Sequence, residues 1–411
     1  MQNNSIKAAI AAGCFVIAGS AWAVPYNTFD PRSMGMGGAG VAAGTSANAV
    51  FLNPSLLALK RNRDKFSLDF PVGARLADPN NLMDAVNQFK DSNPITAFKN
   101  AIDAYAADNS PANQAAVEST GTALIDDLHD ISGKTLQAEG AGAIVVGVPG
   151  DSFGFSVFAN AYVVGGTLTD VTSSDISAIQ QVIDAANSGG TVTDPTAALT
   201  SSVAARFATV AESGVGLAHR FDSLGGIAVG LTPKFVQVTT YDYTFTGSGL
   251  DNAKIDLDTG KTTQSNFNMD LGLAKDFNNG WLTGLSVRNL FAKDYETVQH
   301  NIFRIEPQAR LGLAYRHEWM TVATDVDLTE NKPAGFESKT RYAIVGGEFD
   351  VVHLFQLRLG YRRNLATLPP GQEANVFSAG IGLSPLGVHL DAAVAGNSDE
   401  IGGSLQVGMQ F

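Results

Sequence analysis

The chain has 411 residues, with 27 Lys+Arg against 40 Asp+Glu for a formal charge of −13; 16% of residues are charged, 45% are hydrophobic and 43 are Gly. The acidic balance excludes a surface built to hold a phosphate backbone, so nucleic acid is not an expected partner. The apolar content excludes wholesale disorder, and the charge fraction lies well below the roughly 25% usual for soluble globular domains.

Residues 1–23 read as a secretory signal. Lys7 gives a positive start, 8–19 an apolar core, and Ala21-Trp22-Ala23 a small-x-small cleavage site that leaves Val24 first in the exported chain. Cys14, the only cysteine, falls inside this segment, so the exported chain is expected to hold no disulfide and no thiolate metal site. Beyond it, no apolar run approaches the roughly 18 residues of a membrane helix; the longest lies near 141–148. A helical inner-membrane protein is excluded, leaving a soluble exported protein or a membrane-spanning β-barrel.

Residues 24–64 do not alternate and are rich in Gly, Ala, Ser and Asn. Gly35, Gly37 and Gly40 satisfy G-x-G-x-x-G, but no buried strand precedes them and no acidic residue occurs between Asp30 and Asp64. A dinucleotide site needs both, so no cofactor is expected.

From residue 65 onward period-2 alternation dominates. Phe66, Leu68, Phe70 and Val72 share one face; Phe267, Met269, Leu271 and Leu273 another; Leu311, Leu313 and Tyr315 oppose Arg310 and Arg316. The pattern predicts fourteen strands near 65–77, 136–149, 152–165, 207–221, 225–245, 262–277, 281–292, 303–317, 319–329, 339–350, 353–364, 374–384, 387–396 and 402–411. Links after even-numbered strands are short, such as Gly150-Asp151 and Asn278-Asn279-Gly280; those after odd-numbered strands are generally longer. An even strand count with tight turns at one end and longer loops at the other is the pattern of an outer-membrane barrel, whereas a soluble sandwich has no reason to sort its loops by parity.

Two insertions, 78–135 and 166–206, interrupt this pattern. In the first, Leu82, Val86 and Phe89, then Ile95, Phe98, Ile102 and Tyr105, follow helical spacing, with Pro94 and Pro111 at helix starts; Leu124, Leu128 and Ile131 mark a third helix. In the second, Ile176, Ile179, Val182 and Ile183 mark a fourth. These stripes either pack on one another above the barrel or form a groove for an apolar ligand, whose lining would then be Leu82, Val86, Phe89, Phe98, Ile102 and Tyr105.

The last strand places Leu405, Val407, Met409 and terminal Phe411 on one face. A final strand ending in an aromatic residue resembles the signal read by the outer-membrane assembly machinery. The start of the exported chain (SMGMGGAGVA at 33–42) and Asn53-Pro54-Ser55 resemble the N-terminal hatch of the long-chain fatty acid transporters of the outer membrane, the FadL-like group; Ser55 departs from that group's usual Ala. That SMGMGGAGVA opening and the long helical insertions look closer still to the conjugal transfer TraF-like branch. The resemblance implies an all-β membrane protein: a fourteen-stranded antiparallel outer-membrane barrel over 65–411, surrounded by outer-membrane lipid. A plug at 24–64, with Asn53 and Pro54 in the lumen, and extracellular helical insertions would complete it.

The inferred lumen face is charged, with Asp69, Arg220, Lys234, Asp270, Arg288, Arg310, Arg316, Asp325, Asp327, Arg341, Arg358 and Arg362. Such charges would cost about 2–4 kcal/mol each on the lipid face, which forces them inward to pair and hold the plug, or to line a polar conduit. The six His residues (129, 219, 300, 317, 353 and 389) have no i, i+3 or i, i+4 spacing, so no local metal site is visible; His389 and Asp391 share a strand face. No enzyme is expected. The resemblance to the FadL-like group implies passive uptake of a small hydrophobic molecule as the expected role. The alternative is a structural or interaction protein of the envelope with conjugation proteins as partners.

Overall fold

The computed structural model describes residues 29–59, 65–246, 258–332, 335–336, 338–351 and 354–411. The expected signal at 1–23 with Lys7 and Cys14, the two ends of the plug segment, and His353 lie outside the described residues.

Sixteen strands are present among the described residues: β1 Ser67–Ala77, β2 Thr135–Val148, β3 Phe153–Asp170, β4 Ser202–Phe221, β5 Ile227–Thr246, β6 Lys261–Asp276, β7 Trp281–Arg288, β8 Lys293–Glu296, β9 Ile302–Ile305, β10 Gln308–His317, β11 Met320–Asp327, β12 Tyr342–Val351, β13 Phe355–Asn364, β14 Asn375–Leu383, β15 Val388–Gly396 and β16 Glu400–Gln410. Fourteen of them close a barrel in the order β1-β16-β15-β14-β13-β12-β11-β10-β7-β6-β5-β4-β3-β2, and β8 pairs only with β9. All pairings are antiparallel, and closure runs from Ser67 opposite Gln410 to Ala77 opposite Glu400. Closure leaves no open sheet edge, so every wall strand has a neighbour on both sides.

Alternation sets the two faces. On β16, Leu405 is 60% exposed and Ser404 only 4%. The outer face presents Phe235, Leu313, Leu359, Phe377 and Ile381, while Lys234, Arg310 and Asp325 are buried inside. Near the short turns, outward Trp281 packs at a tilt against Tyr315, ring centroids 5.1 Å apart, and Trp319 stacks on Phe349 at 6.2 Å, an aromatic girdle suited to a membrane interface. The barrel is thus built to span a bilayer.

Three boundaries differ from the sequence reading. The second insertion is shorter, because β3 runs on to Asp170 and pairs it with Ser202 of β4. The link between β15 and β16 is only residues 397–399, although it follows an odd-numbered wall strand. The strands expected at 281–292 and 303–317 are each broken. Asn289 takes a left-handed φ of 54° and its N–H donates to Asp270 at 2.7 Å, so the chain leaves the wall, and Pro307 precedes its return in β10. The residues between form the β8–β9 hairpin. Its Tyr295, Phe303 and Ile305 are buried with inward Tyr162, Val164, Val210, Val236 and Val238 of β3–β5, so the hairpin fills part of the lumen.

Residues 29–59 form the plug: helices α1 Pro31–Gly35 and α2 Ala49–Leu52, then a 3-10 turn Pro54–Ala58. Pro31 and Pro54 begin their turns with no N–H to satisfy, and the side chains of Asp30 and Asn53 cap them. Met36, Ala39, Ala42 and Ala43 pack on Leu282, Ala314, Ala323 and Ile344, while Leu56, Leu57 and Leu59 pack on Ala218, Ala228 and Ala274. Small wall residues let the plug backbone approach. A Cβ on Gly360 would stand 2.0 Å from the Gly37 nitrogen.

Four helices of the insertions form a cap at the long-loop end: α3 Leu82–Ser92, α4 Pro94–Ala107, α5 Pro111–Ile131 and α6 Ser173–Asn187. Phe98, Ile102 and Tyr105 face Val117, Leu124, Ile179 and Ile183 in one shared core.

Candidate functional site

The lumen charges are spent largely on one another and on the plug. Lys234 bridges Glu212 and Asp270, each at 3.0 Å, and Arg310 pairs with Asp327 at 2.6 Å. Arg358 holds Glu348 at 2.8 Å and Asp391 at 2.5 Å; Arg32 of the plug reaches the same Glu348 through Nε and Nη2 at 2.8 and 2.7 Å. Asp325 accepts from the Gly40 and Val41 amides at 2.8 and 3.0 Å. Asp391 is therefore engaged by arginine, and His389 pairs across the strands with Asp69 at 2.7 Å rather than with its strand neighbour. Buried pairs of this kind fix geometry and register more than they add stability.

The apolar surface inside converges elsewhere. A cavity of 80 Å³ lies against the wall of β1–β3. Phe29, Asp30 and Phe51 reach it from the plug, Pro71 from β1, Glu139 and Ala141–Ala143 from β2, Asn160 and Tyr162–Val164 from β3, and Arg288 from β7. Phe51 is held there by an edge-on contact with Phe158, ring centroids 5.4 Å apart.

The wall at this point is thin for local reasons. The β1–β2 register pairs Asp69 with Val145 and resumes at Val72 with Gly142, skipping Phe70 and Pro71. Proline has no N–H to give to the ladder. Gly142 faces outward, and a Cβ there would meet nothing closer than 3.5 Å. The cavity lining accordingly includes the inward Ala141 and Ala143 together with the outward Gly142 and Val163. Apart from Glu139, Arg288 and Asp30, its polar groups are Asn160 and Tyr162. The Asn160 Oδ1 is buried without a hydrogen-bond partner among the described residues. Above the cavity, the hairpin residues Tyr295 and Phe303 cover Tyr162 and Val164.

None of the six residues expected to line a ligand groove lines this cavity. Phe98 is 0% exposed, Ile102 and Tyr105 each 3%, and Leu82 1%. Val86 and Phe89 are half-buried, Phe89 packing against the cap core. The Tyr105 hydroxyl donates to Gly190 O at 2.8 Å, tying α4 to the chain after α6. The stripes face one another because four short amphipathic helices bury more apolar surface by mutual packing than by lining an open groove. The cavity residues carry weaker signals. Proline inside an alternating strand marks an interrupted ladder, and a run of small residues at 140–143 marks a wall without bulk. Tyr162 and Phe51 carry no local mark, and Arg288 is marked only as a charge on the lumen face.

Asn53 is fully buried in the lumen, where its Nδ2 donates to Val41 O at 2.8 Å and to Leu273 O at 3.0 Å, and Pro54 is buried beside it. Phe411 closes the barrel seam: its N–H donates to Phe66 O at 3.0 Å and its carbonyl accepts from the Phe66 N–H at 3.0 Å.

Outside the barrel, Asp175 of α6 anchors the return to β4. The Thr200 amide donates to both its oxygens, at 3.0 and 2.9 Å. Burial alone would raise this carboxyl, but hydrogen bonds from Ser201 and Thr200 outweigh it and hold it below the usual range.

Among solved structures, the toluene transporter TodX of P. putida is similar over 94% of this chain and 99% of its own, at 11% identity and a TM-score of 0.52. A TodX deltaS2S3 mutant, described as a monoaromatic hydrocarbon channel, matches 93% of this chain and 99% of its own at 11% identity and TM-score 0.54. A Pseudomonas aeruginosa FadL homologue aligns with 95% of this chain and 99% of its own at 10% identity and TM-score 0.48. No curated protein matches. The two TodX structures share this chain's fold. The model of the family described as "F plasmid transfer operon, TraF, protein" matches residues 50–327, well over half of the sequence. The chain thus belongs to the TraF family, on a barrel fold shared with TodX.

Proposed function

We propose that the protein is an outer-membrane channel that passes a small, mostly apolar molecule through the cavity in the wall of β1–β3. The observation that carries this reading is the coincidence of that cavity with the interrupted ladder at Pro71 and the outward Gly142. One water needs about 10–15 Å³ of such space, so 80 Å³ suits a molecule several times larger, on the scale of one aromatic ring. Transfer from water into aromatic and branched walls supplies the driving force. TodX is named for toluene, which makes toluene the natural first probe. No bond chemistry is proposed.

The test is toluene binding to the detergent-solubilised protein by saturation-transfer NMR, with Ala141→Phe to fill the cavity. Wild type should show transfer and Ala141→Phe should lose it while keeping the heat-modifiable mobility of a folded barrel. Equal transfer in both would sink the reading.

The family match favours a second reading, an envelope partner of plasmid transfer acting with conjugation proteins. The cap offers that reading little apolar surface. Among the described residues of its four helices, Met83 is the one large hydrophobic side chain that is strongly exposed. Plasmid transfer that falls when the gene is deleted, and is restored by Ala141→Phe, would favour the partner role over the channel.

A further inference from the structure

At the short-turn end of the lumen a second cavity, of 610 Å³, opens beneath the plug. Its apolar side is Leu56, Leu59, Pro149 and Met320, and its charged side includes Arg32, Arg316, Glu318, Glu348 and Asp350. Most of that charge is accounted for. Arg32 gives Nε and Nη2 to Glu348 and Nη1 to Ala43 O at 2.7 Å, and Glu348 also takes Arg358.

Arg316 differs. It follows inward Arg310, Gly312 and Ala314 on β10, so the strand's own alternation turns it into the lumen. Its Nη2 is buried with no hydrogen-bond partner among the described residues. A buried guanidinium N–H left without an acceptor has lost its water with nothing in exchange, and the loss is larger because the group is charged. Guanidinium is also the side chain best shaped to grip a carboxylate with two parallel bonds.

We propose that this cavity is a binding site for a small organic carboxylate. Arg316 takes the carboxylate, the hydroxyls and amides of Thr45, Ser46 and Asn279 line the polar side, and the apolar body rests on Leu56, Leu59, Pro149 and Met320. Glu318 and Asp350, on the same wall, repel a second negative charge and limit the site to monoanions. The proposal does not depend on passage through the β1–β3 cavity, which lies against a different part of the wall.

The experiment is titration of the full barrel in detergent with benzoate, and with benzyl alcohol as the uncharged control. Wild type should bind benzoate at least tenfold more tightly than benzyl alcohol. Arg316→Gln should lose that preference, and Arg316→Lys should retain part of it, each with heat-modifiable mobility showing that the barrel assembled. Equal binding of benzoate and benzyl alcohol by wild type, or benzoate binding unchanged in Arg316→Gln, would overturn the site. Glu318→Gln separates the remaining case: if wild type is silent and this variant alone binds benzoate, Glu318 is the native partner of Arg316 and the proposal fails. Should Arg316→Gln fail to assemble, benzoate protection of wild-type Arg316 from phenylglyoxal decides, protection supporting the site and its absence rejecting it.

Discussion

Asn53 of the plug lies against Gly272 of β6 so closely that a Cβ at position 272 would stand 2.1 Å from the Asn53 Oδ1. That oxygen accepts from the Ser55 amide and hydroxyl at 3.2 and 2.6 Å, while the Nδ2 bonds Val41 O and Leu273 O. One side chain thus joins two turns of the plug to the wall. Asn53→Ala is expected to destabilise the plug by about 1–3 kcal/mol, the cost of orphaned buried polar groups. Conductance in planar bilayers should rise for small polar solutes; unchanged conductance would show that the plug stays seated without this junction.

The cap is held by its own core. Phe98→Ala removes a fully buried ring and should cost about 3–5 kcal/mol locally. Gly121→Val should also loosen the cap, because even a Cβ there would stand 2.7 Å from Ile183 Cδ1 and 2.8 Å from Phe98 Cε2. Hydrogen exchange should quicken in residues 94–131 and 173–187 with the wall strands unchanged. Quickening spread over the whole barrel would mean that cap and wall unfold as one unit.

Asp175 gives the cap a pH dependence of known sign. Its folded carboxyl is held below the ordinary value by hydrogen bonds from Ser201 and Thr200. The stabilisation is therefore present above the unfolded carboxyl range, about pH 4, and is lost as pH falls through the lower folded value. Proteolysis of the cap should accelerate below about pH 4 in wild type. Asp175→Asn should start less stable at neutral pH and show a flatter acid limb. Superimposable pH profiles for the two proteins would remove Asp175 from the account.

Phe411 sits at the seam where β1 meets β16, bonded in both directions to Phe66 and 62% exposed on the outer face. Deleting it should lower the amount of assembled barrel while leaving export intact, read as a loss of the heat-modifiable band with no loss of total exported protein. Normal assembly without Phe411 would show that the seam needs only the preceding strand pairs.

The architecture was legible in the sequence because a membrane wall obeys a local rule. Each residue faces lipid or lumen, so Leu405 and Ser404, or Leu311 and Arg310, declare their sides by polarity alone. The departures have equally local causes. Asn289 adopts a left-handed backbone and Pro307 lacks an N–H, and together they peel residues 293–305 out of two expected strands. Alternation over 293–305 resembles that of the wall, so nothing in periodicity distinguishes a strand that spans from a hairpin that folds inward.

Sites were less legible. The helical stripes of Phe98, Ile102 and Tyr105 were visible by spacing, but spacing says only that a helix has an apolar face. Whether that face meets ligand or another helix depends on α5 and α6, which the chain brings together from both insertions. The wall cavity joins Phe51, Pro71, Ala141, Tyr162 and Arg288, residues drawn from the plug and four strands. The sequence by itself determined the barrel, its two faces and the inward placement of charge, because the cost of a polar group in lipid acts residue by residue. Only the tertiary structure decided which charges pair, which arginine is left over and where the apolar lumen surface stays open, because those depend on distances across a closed ring that no local pattern encodes.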